Sequence, residues 1–375
     1  MKGFPYSCAA AASFGLESVV RSEVEALGIS GTRVEDRRVL FSATAEQIAR
    51  CNLWLRAADR VYIQAAEFPA EDFDALYEGV RAAPWRDLLP ANAAVTVEAA
   101  TSASRLTAVP SLQSIGKRAI ADAVAGPGGR LAETGPRCDV RISLHHDVAT
   151  VSLDTTGPGL HKRGYRRHAG PAPLRENLAA ALVLLSRWSP SRPLADPVCG
   201  SGTIAIEAAL LAANAAPGLG RRFAAEDWPT FPVSAWKSER ASAADARARN
   251  LSVSITASDI DLAMIEAAHA NAAAAGVADL VAFRGAAVQT VSLEGDYGCV
   301  VCNPPYGERL GDARQACDLA RALGSLRQRF PRWSFFALSA LEEFPRCFGE
   351  RPSRNRKLYN GSLRCWLYQY FGPLP

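Results

Sequence analysis

From Leu174 onward the chain alternates strand-length and helix-length apolar runs, and few folds accept that order. Leu174 to Trp188 reads as a helix with Arg-Glu-Asn at its opening. "PLADPVCGSGTIAIEAALLAA" reads as a short strand, a Gly-rich turn and an alanine-leucine helix. "SVSITASDI", "LVAFRG" and "YGCVVCNPPYG" read as further strands, with "DLAMIEAAHANAAAAG" as a helix after the first. Strands that alternate with helices run parallel, because each return crossover needs a helix laid on one face of the sheet. An open, mostly parallel α/β sheet covered on both faces is expected.

The first 155 residues carry a different pattern. Helical spacing at Leu16, Val19, Val20, Val24 and Leu27 ends at Gly28. "RVLFSA" follows as a strand, then a helix over about 45–58, a strand in "AAVTVEAAT" and a helix in "SLQSIGKRAIADAVA". "CDVRISLHHDVATVSLD" reads as two strands around a turn, and the whole as α+β. "TTGPGLHKRGYRRHAGPAP", rich in Gly, Pro and cations, is the natural boundary.

Composition narrows the function classes. No apolar run is long enough to cross a membrane as a helix. "MKGFPYSCAAAASFGLESVV" has no greasy centre and meets Glu17 and Arg21 early, so a mature, cytoplasmic N-terminus is expected. Nine cysteines without regular spacing suit a reducing compartment and core packing. Cys299 and Cys302 form the one C-x-x-C, but residues three apart on a strand face opposite sides, against a metal or redox pair. The histidines show no ligand pattern, and no metal is expected. Residues 1–160 hold 16 Lys+Arg against 19 Asp+Glu, and residues 161–375 hold 26 against 19. The basic excess lies in the C-terminal part and suits a polyanionic partner.

Two motifs carry chemistry. Asp196-Pro-Val-Cys-Gly-Ser-Gly-Thr203 ends a strand in an acid, then turns on glycines into a helix N-terminus, which is either a cofactor cradle or an ordinary tight turn. Asp259 closes the next strand, where a carboxylate can accept both hydroxyls of a ribose. A dinucleotide fold places that acid about 20 residues after its glycines. Here it comes 63 residues after Asp196 and the third glycine is missing, which disfavours a nicotinamide enzyme. The second motif, Asn303-Pro304-Pro305-Tyr306, follows the "GCVVC" strand. Its prolines can simply stop a strand. They can also fix a carbonyl beside the Asn amide oxygen, two acceptors for the hydrogens of one amino group, with Tyr306 as a stacking face for a base.

Together these motifs resemble the S-adenosylmethionine-dependent amino-methyltransferases of class I fold. "HKRGYR", "APLREN", "DPVCGSGTIAIEAAL", "NPPYGERL" and "RKLYNGSLRCWLYQY" are similar to blocks of the THUMP-domain RNA guanine-N2 methyltransferases, nearest the large-subunit rRNA methyltransferase L type. "CAAAASFGLESVVRSEVEALG" and "SASRLTAVPSLQSIGKRAI" resemble that family's ferredoxin-like start and THUMP segment. The resemblance implies a ferredoxin-like module over 1–60, a THUMP RNA-binding domain over 61–158 and a Rossmann-like class I methyltransferase domain over 159–375. It implies S-adenosylmethionine as cofactor, held by Asn177, Asp196, Cys199, Gly200, Ser201, Gly202, Thr203, Asp259 and Ile260. Asn303 to Tyr306 would present guanine N2 for an in-line methyl transfer that needs no metal, in 23S rRNA or, alternatively, tRNA. One departure stands out: where the family carries an acid for the cofactor's adenine amine, this chain has Ala287. One hydrogen bond fewer, about 0.5–1.5 kcal/mol, implies weaker cofactor affinity with activity retained.

RNA contacts are expected at Lys162, Arg163, Arg166 and Arg167, and at Arg356, Lys357 and Tyr359, within two acid-free basic segments that contain or adjoin a tyrosine. Both segments also suit solvated loops. In the slightly acidic N-terminal part, RNA binding has to rest on a local patch such as Lys117-Arg118. An N6-adenine DNA methyltransferase and a catalytically silent binding protein are the competing readings.

Overall fold

The computed structural model describes residues 5–167, 174–249, 251–305 and 312–373. Two compact units interleave along the chain: Met1–Ala12, Val20–Leu160 and Arg221–Ser242 form one, and Ser13–Val19, His161–Gly220 and Ala243–Pro375 the other.

The first unit holds a seven-stranded sheet of β1 (Tyr6–Ala12), β2 (Arg33–Glu35), β3 (Arg38–Ala43), β4 (Ala58–Pro69), β5 (Ala94–Ser102), β6 (Arg137–His145) and β7 (Val148–Asp154), ordered β2-β3-β1-β4-β7-β6-β5. Its helices are α1 (Glu17–Ala26), α2 (Ala45–Trp54), α3 (Phe73–Arg81), α4 (Trp85–Leu88) and α5 (Val109–Ala125). Thr44 and Gln47 close a capping box at the start of α2. That helix stops at Trp54, short of the expected 58, because the chain has already entered β4. β4 pairs with β1 through Ile63↔Cys8 and with β7 through Ile63↔Leu153. The boundary expected near residue 60 therefore falls inside a strand, and the two N-terminal modules share one continuous sheet. A buried polar latch fixes this region: Asn52 donates to Thr155 Oγ1 (2.9 Å) and accepts from Thr156 Oγ1 (2.7 Å).

The second unit contains α6 (Glu176–Leu185), β8 (Leu194–Asp196), α7 (Thr203–Ala212), β9 (Ile255–Asp259), α9 (Leu262–Ala275), β10 (Ala282–Gly285), β11 (Cys299–Cys302), α10 (Asp312–Arg329), β12 (Ser334–Ser339), α11 (Phe344–Phe348), β13 (Arg354–Asn360) and β14 (Leu363–Tyr370). A further helix, α8, spans Val233–Asp245. The strand order is β10-β9-β8-β11-β12-β14-β13, parallel from β10 to β12, with β14 antiparallel to both neighbours. The expected mostly parallel sheet is present, closed on one side by an antiparallel hairpin. Cys299 and Cys302 are buried free thiols, as expected of core packing. One correction concerns the cysteines: Cys317 and Cys347, 30 residues apart, form a disulfide between α10 and α11. Packing of two separate helices, not spacing, brings them together. Among the described residues no helix is long and apolar enough to cross a membrane.

Candidate active site

In the second sheet the chain leaves β8, builds β9 and β10 on one side, then returns to place β11 on the other. The β8/β11 boundary is thus the switch point, where diverging connections leave a crevice at the strands' carboxyl ends. Asp196 ends β8 opposite Ala257 of β9, so Asp259 lies two residues beyond that level. On the other side, Ala195 pairs with Val300, which places Asn303 just past the end of β11. Asp196, Asp259 and Asn303 therefore share one edge, as the sequence predicts.

The Gly-rich turn is built from left-handed backbone that glycine tolerates best. Gly202 (φ +81°) caps α7, and a Cβ there would come within 2.9 Å of Ala268 Cβ and 3.1 Å of the Phe283 ring. Gly200 (φ +50°) is different: a Cβ there would meet only open space, so the backbone is bare on the side a ligand would approach. The Gly200 N–H donates to Asp259 Oδ2 (2.9 Å), the Asp261 N–H to Asp259 Oδ1 (3.0 Å), and the Cys199 N–H to the Ser258 carbonyl (2.9 Å). Each Asp259 oxygen keeps further acceptor capacity for ribose hydroxyls. Ile260 and Leu262 beside it are 77% and 66% exposed, apolar cover that suits a flat heterocycle. Ser201 and Thr203 are buried in the turn.

Asp196 is 1% exposed, and its carboxylate accepts one hydrogen bond among the described residues, from the Val198 N–H at 3.3 Å. Burial pushes its pKa up to about 8, opposed by that bond and assisted by the Asp259 charge. A buried, under-paired carboxylate fits a cationic ligand, and S-adenosylmethionine carries two cations. Burial followed by the two acids raises the Cys199 thiol, so it stays protonated and lines the turn without reacting. The residues present thus fit the cofactor. Asn303 is half-buried, Pro304 buried and Pro305 exposed, while Tyr306 lies outside the described residues.

The basic segment after residue 160 is corrected in part. Arg163 is buried and pairs with Glu207 (3.4 Å), to which the buried Tyr165 hydroxyl also donates (3.0 Å). Arg166 pairs with Glu176 (3.3 Å) and donates to the Leu174 carbonyl (2.5 Å) and Thr203 Oγ1 (3.1 Å). Both guanidiniums are taken up beside an acid held on helix α7 or α6. Arg166 instead ties the start of α6 to the first residue of α7, beneath the Gly-rich turn. Asn177, next to Glu176, is buried and takes the Leu178 N–H (3.0 Å). Lys162 and Arg167 have exposed side chains, and the Arg167 N–H donates to buried Asn271 (2.9 Å). Asn271 in turn donates to the Ser201 carbonyl (3.2 Å), bracing the turn from α9.

Glu176, Glu207 and Asn271 were not anticipated. The signal for Glu207 and Asn271 was a lone polar residue inside "TIAIEAALLA" and "HANAAAA", where burial demands a partner. In the other expected RNA contacts, Lys117 pairs with Glu133 (2.6 Å), and Arg118, 79% exposed, pairs with the buried Asp122 (3.8 Å). Arg356 and Lys357 lie on β13, half-buried, with Tyr359 two residues further. Among the described residues no cluster of His, Cys, Asp or Glu is arranged to hold a metal ion.

Comparison with known proteins assigns this architecture. Residues 163–369 match the RMKL-like methyltransferase domain, residues 7–62 the RlmL ferredoxin-like domain and residues 70–154 the THUMP domain. YpsC of Bacillus subtilis, provisionally named an RNA methyltransferase, is 41% identical over 98% of this chain and 96% of its own. A solved Listeria monocytogenes protein, provisionally named an N6-adenine-specific DNA methylase, is 44% identical with TM-score 0.93, covering 98% of this chain and 97% of its own. SMU.472, provisionally named a methyltransferase and solved with SAH bound, is 40% identical with TM-score 0.94 and full coverage of both chains. S-adenosylmethionine is the methyl donor. With these matches along nearly its whole length, the chain belongs to the RMKL-like family of S-adenosylmethionine-dependent methyltransferases, carrying RlmL ferredoxin-like and THUMP domains ahead of the methyltransferase domain.

Proposed function

We propose that this chain methylates the exocyclic N2 of a guanosine in RNA, with 23S rRNA as the substrate. The observation that carries the reading is the placement of Asn303 past β11, across the switch point from Asp196 and Asp259. When bound, S-adenosylmethionine supplies an electrophilic methyl on a sulfonium. The chain's part is to orient. Asp259 takes the ribose hydroxyls, the bare Gly200 backbone admits the cofactor, and Asp196 faces its cationic end. Asn177, Cys199, Ser201, Gly202 and Thr203 form the floor, and Ile260 covers the ring. The Asn303 amide oxygen and the Pro304 carbonyl accept the two amine hydrogens, which leaves the nitrogen lone pair directed at the methyl. As the new N–C bond would form, the methyl–sulfur bond would break to leave neutral SAH, and the one amine proton made acidic would sit against these acceptors before passing to water. Tyr306 is assigned to stacking on the base.

RNA as substrate is supported by the THUMP match and by the name of the Bacillus relative. A second reading has its own observation: the name of the Listeria relative points to adenine N6 in DNA, and two acceptors serve any planar amine. Labelled methyl transfer to undermethylated rRNA, tRNA and DNA separates these. Label in rRNA, mapped to guanine N2 and abolished by Asn303→Ala with SAH affinity retained, is expected. Label entering only DNA, or only tRNA, overturns the assignment.

A further inference from the structure

β13 is the edge strand of the second sheet, and a short N-terminal segment, Ser13–Val19, belongs to the same unit. Gly15 makes the approach possible. Its φ is +85°, and a Cβ there would come within 2.5 Å of the Lys357 carbonyl oxygen. Arg356 fastens the segment by donating to the Gly15 carbonyl (3.1 Å) and lies 3.5 Å from Ser18 Oγ. The docking brings Phe14, 40% exposed, edge-on to Tyr359 at 5.9 Å between ring centroids, with planes at 88°. The Lys357 ammonium stands 5.6 Å from the Phe14 ring and 5.5 Å from the Tyr359 ring. Arg351 and Arg354 are exposed alongside, and residues 351–357 contain no acid. The acid of the docked segment, Glu17, accepts the Gly15 N–H (2.9 Å), and its charge also acts on Arg356.

An exposed aromatic ring costs free energy in water, and a cation held between two rings is only half used by them. Flat apolar faces beside clustered cations match one ligand chemistry best: unstacked bases on a phosphate backbone. A duplex would engage the cations and leave Phe14 idle. We propose that Phe14, Lys357 and Tyr359 form a stacking platform for a single-stranded segment of the RNA substrate. Phe14 and Tyr359 each take a base, and Lys357 and Arg354 meet phosphates. The inference rests on the reading of the substrate as RNA.

Fluorescence anisotropy with the full chain tests it, using a labelled single-stranded RNA of about 12 nucleotides and the same sequence as a duplex. Phe14→Ala and Tyr359→Ala should each raise the single-strand Kd by about fivefold or more. Duplex Kd and calorimetric SAH affinity should stay unchanged. Phe14→Trp should keep single-strand affinity and Phe14→Leu should lose it, which separates a flat face from mere apolar packing. Lys357→Ala should reduce the salt slope by about 0.7. Single-strand affinity unaltered in both alanine variants, or equal losses on strand and duplex, overturns the platform while leaving the RNA reading intact. A wild-type chain that binds neither RNA ends both.

Discussion

Asp196 shows how one residue can report on its own environment. Its ordinary pKa of 3.8 rises to about 8 in the fold, mainly through burial. Between those values the folded chain holds a proton that the unfolded chain has released. Stability is therefore greatest at the acid end of this window and falls as pH rises through it. Thermal melts of the cofactor-free protein from about pH 5 to 8 should show a falling Tm whose slope Asp196→Asn makes shallower, buried Asp154, raised to about 6, keeping the acid end of the fall; an identical slope in both would mean the Asp196 carboxyl is ionised throughout. Ala287 offers the converse test. It lies two residues past β10, at the edge shared with Asp259, whose carbonyl takes the Ala286 N–H (2.9 Å). Ala287→Asp should restore an acceptor and tighten SAH binding by about 0.5–1.5 kcal/mol in calorimetry. Weaker or unchanged binding would reject the assignment of that position to the adenine amine. The basic run carried less than its charge suggested. Arg163 and Arg166 look like Lys162 and Arg167 in sequence, and only the buried Glu207 and Glu176 decide which turn inward.

At the scale of elements, the two glycines of one turn do separable work. Gly202 is a packing glycine and Gly200 an access glycine. Gly202→Ala should cost about 1–3 kcal/mol of stability, seen as a lower Tm, because left-handed backbone and the Ala268 contact both oppose it. Gly200→Ala should cost about 1–2 kcal/mol from backbone alone, yet weaken SAH binding out of proportion. Undiminished SAH affinity in Gly200→Ala would remove the turn from the cofactor site. The strands and helices around this turn are legible because each is a continuous apolar or alanine-rich run of strand or helix length closed by turn residues: "VVC", alanine-leucine α7 and the Gly276-terminated α9. β4 is not. "ADRVYIQAAEFP" follows α2 without a turn signal, so local pattern merged its start with the helix. The closing hairpin carries its own turn signal: the two-residue loop Gly361-Ser362 between the paired Asn360 and Leu363, with Gly361 at φ +65°.

For the whole molecule, the α/β class, the parallel sheet and the shared edge of Asp196, Asp259 and Asn303 are readable in the chain before it folds. Those follow from period, turn chemistry and strand alternation, all local in the chain. Tertiary structure decided the rest. Residues 13–19 and 221–242 each join the unit that their neighbours in sequence do not, and no local pattern announces that. Cys317 meets Cys347, Arg166 reaches Thr203, and Phe14 meets Tyr359 across 345 positions of chain. Such contacts depend on which faces the packed elements turn to one another. Charge and residue type were readable beforehand, but whether a charge is solvated, paired or buried is settled only when distant segments exclude water together.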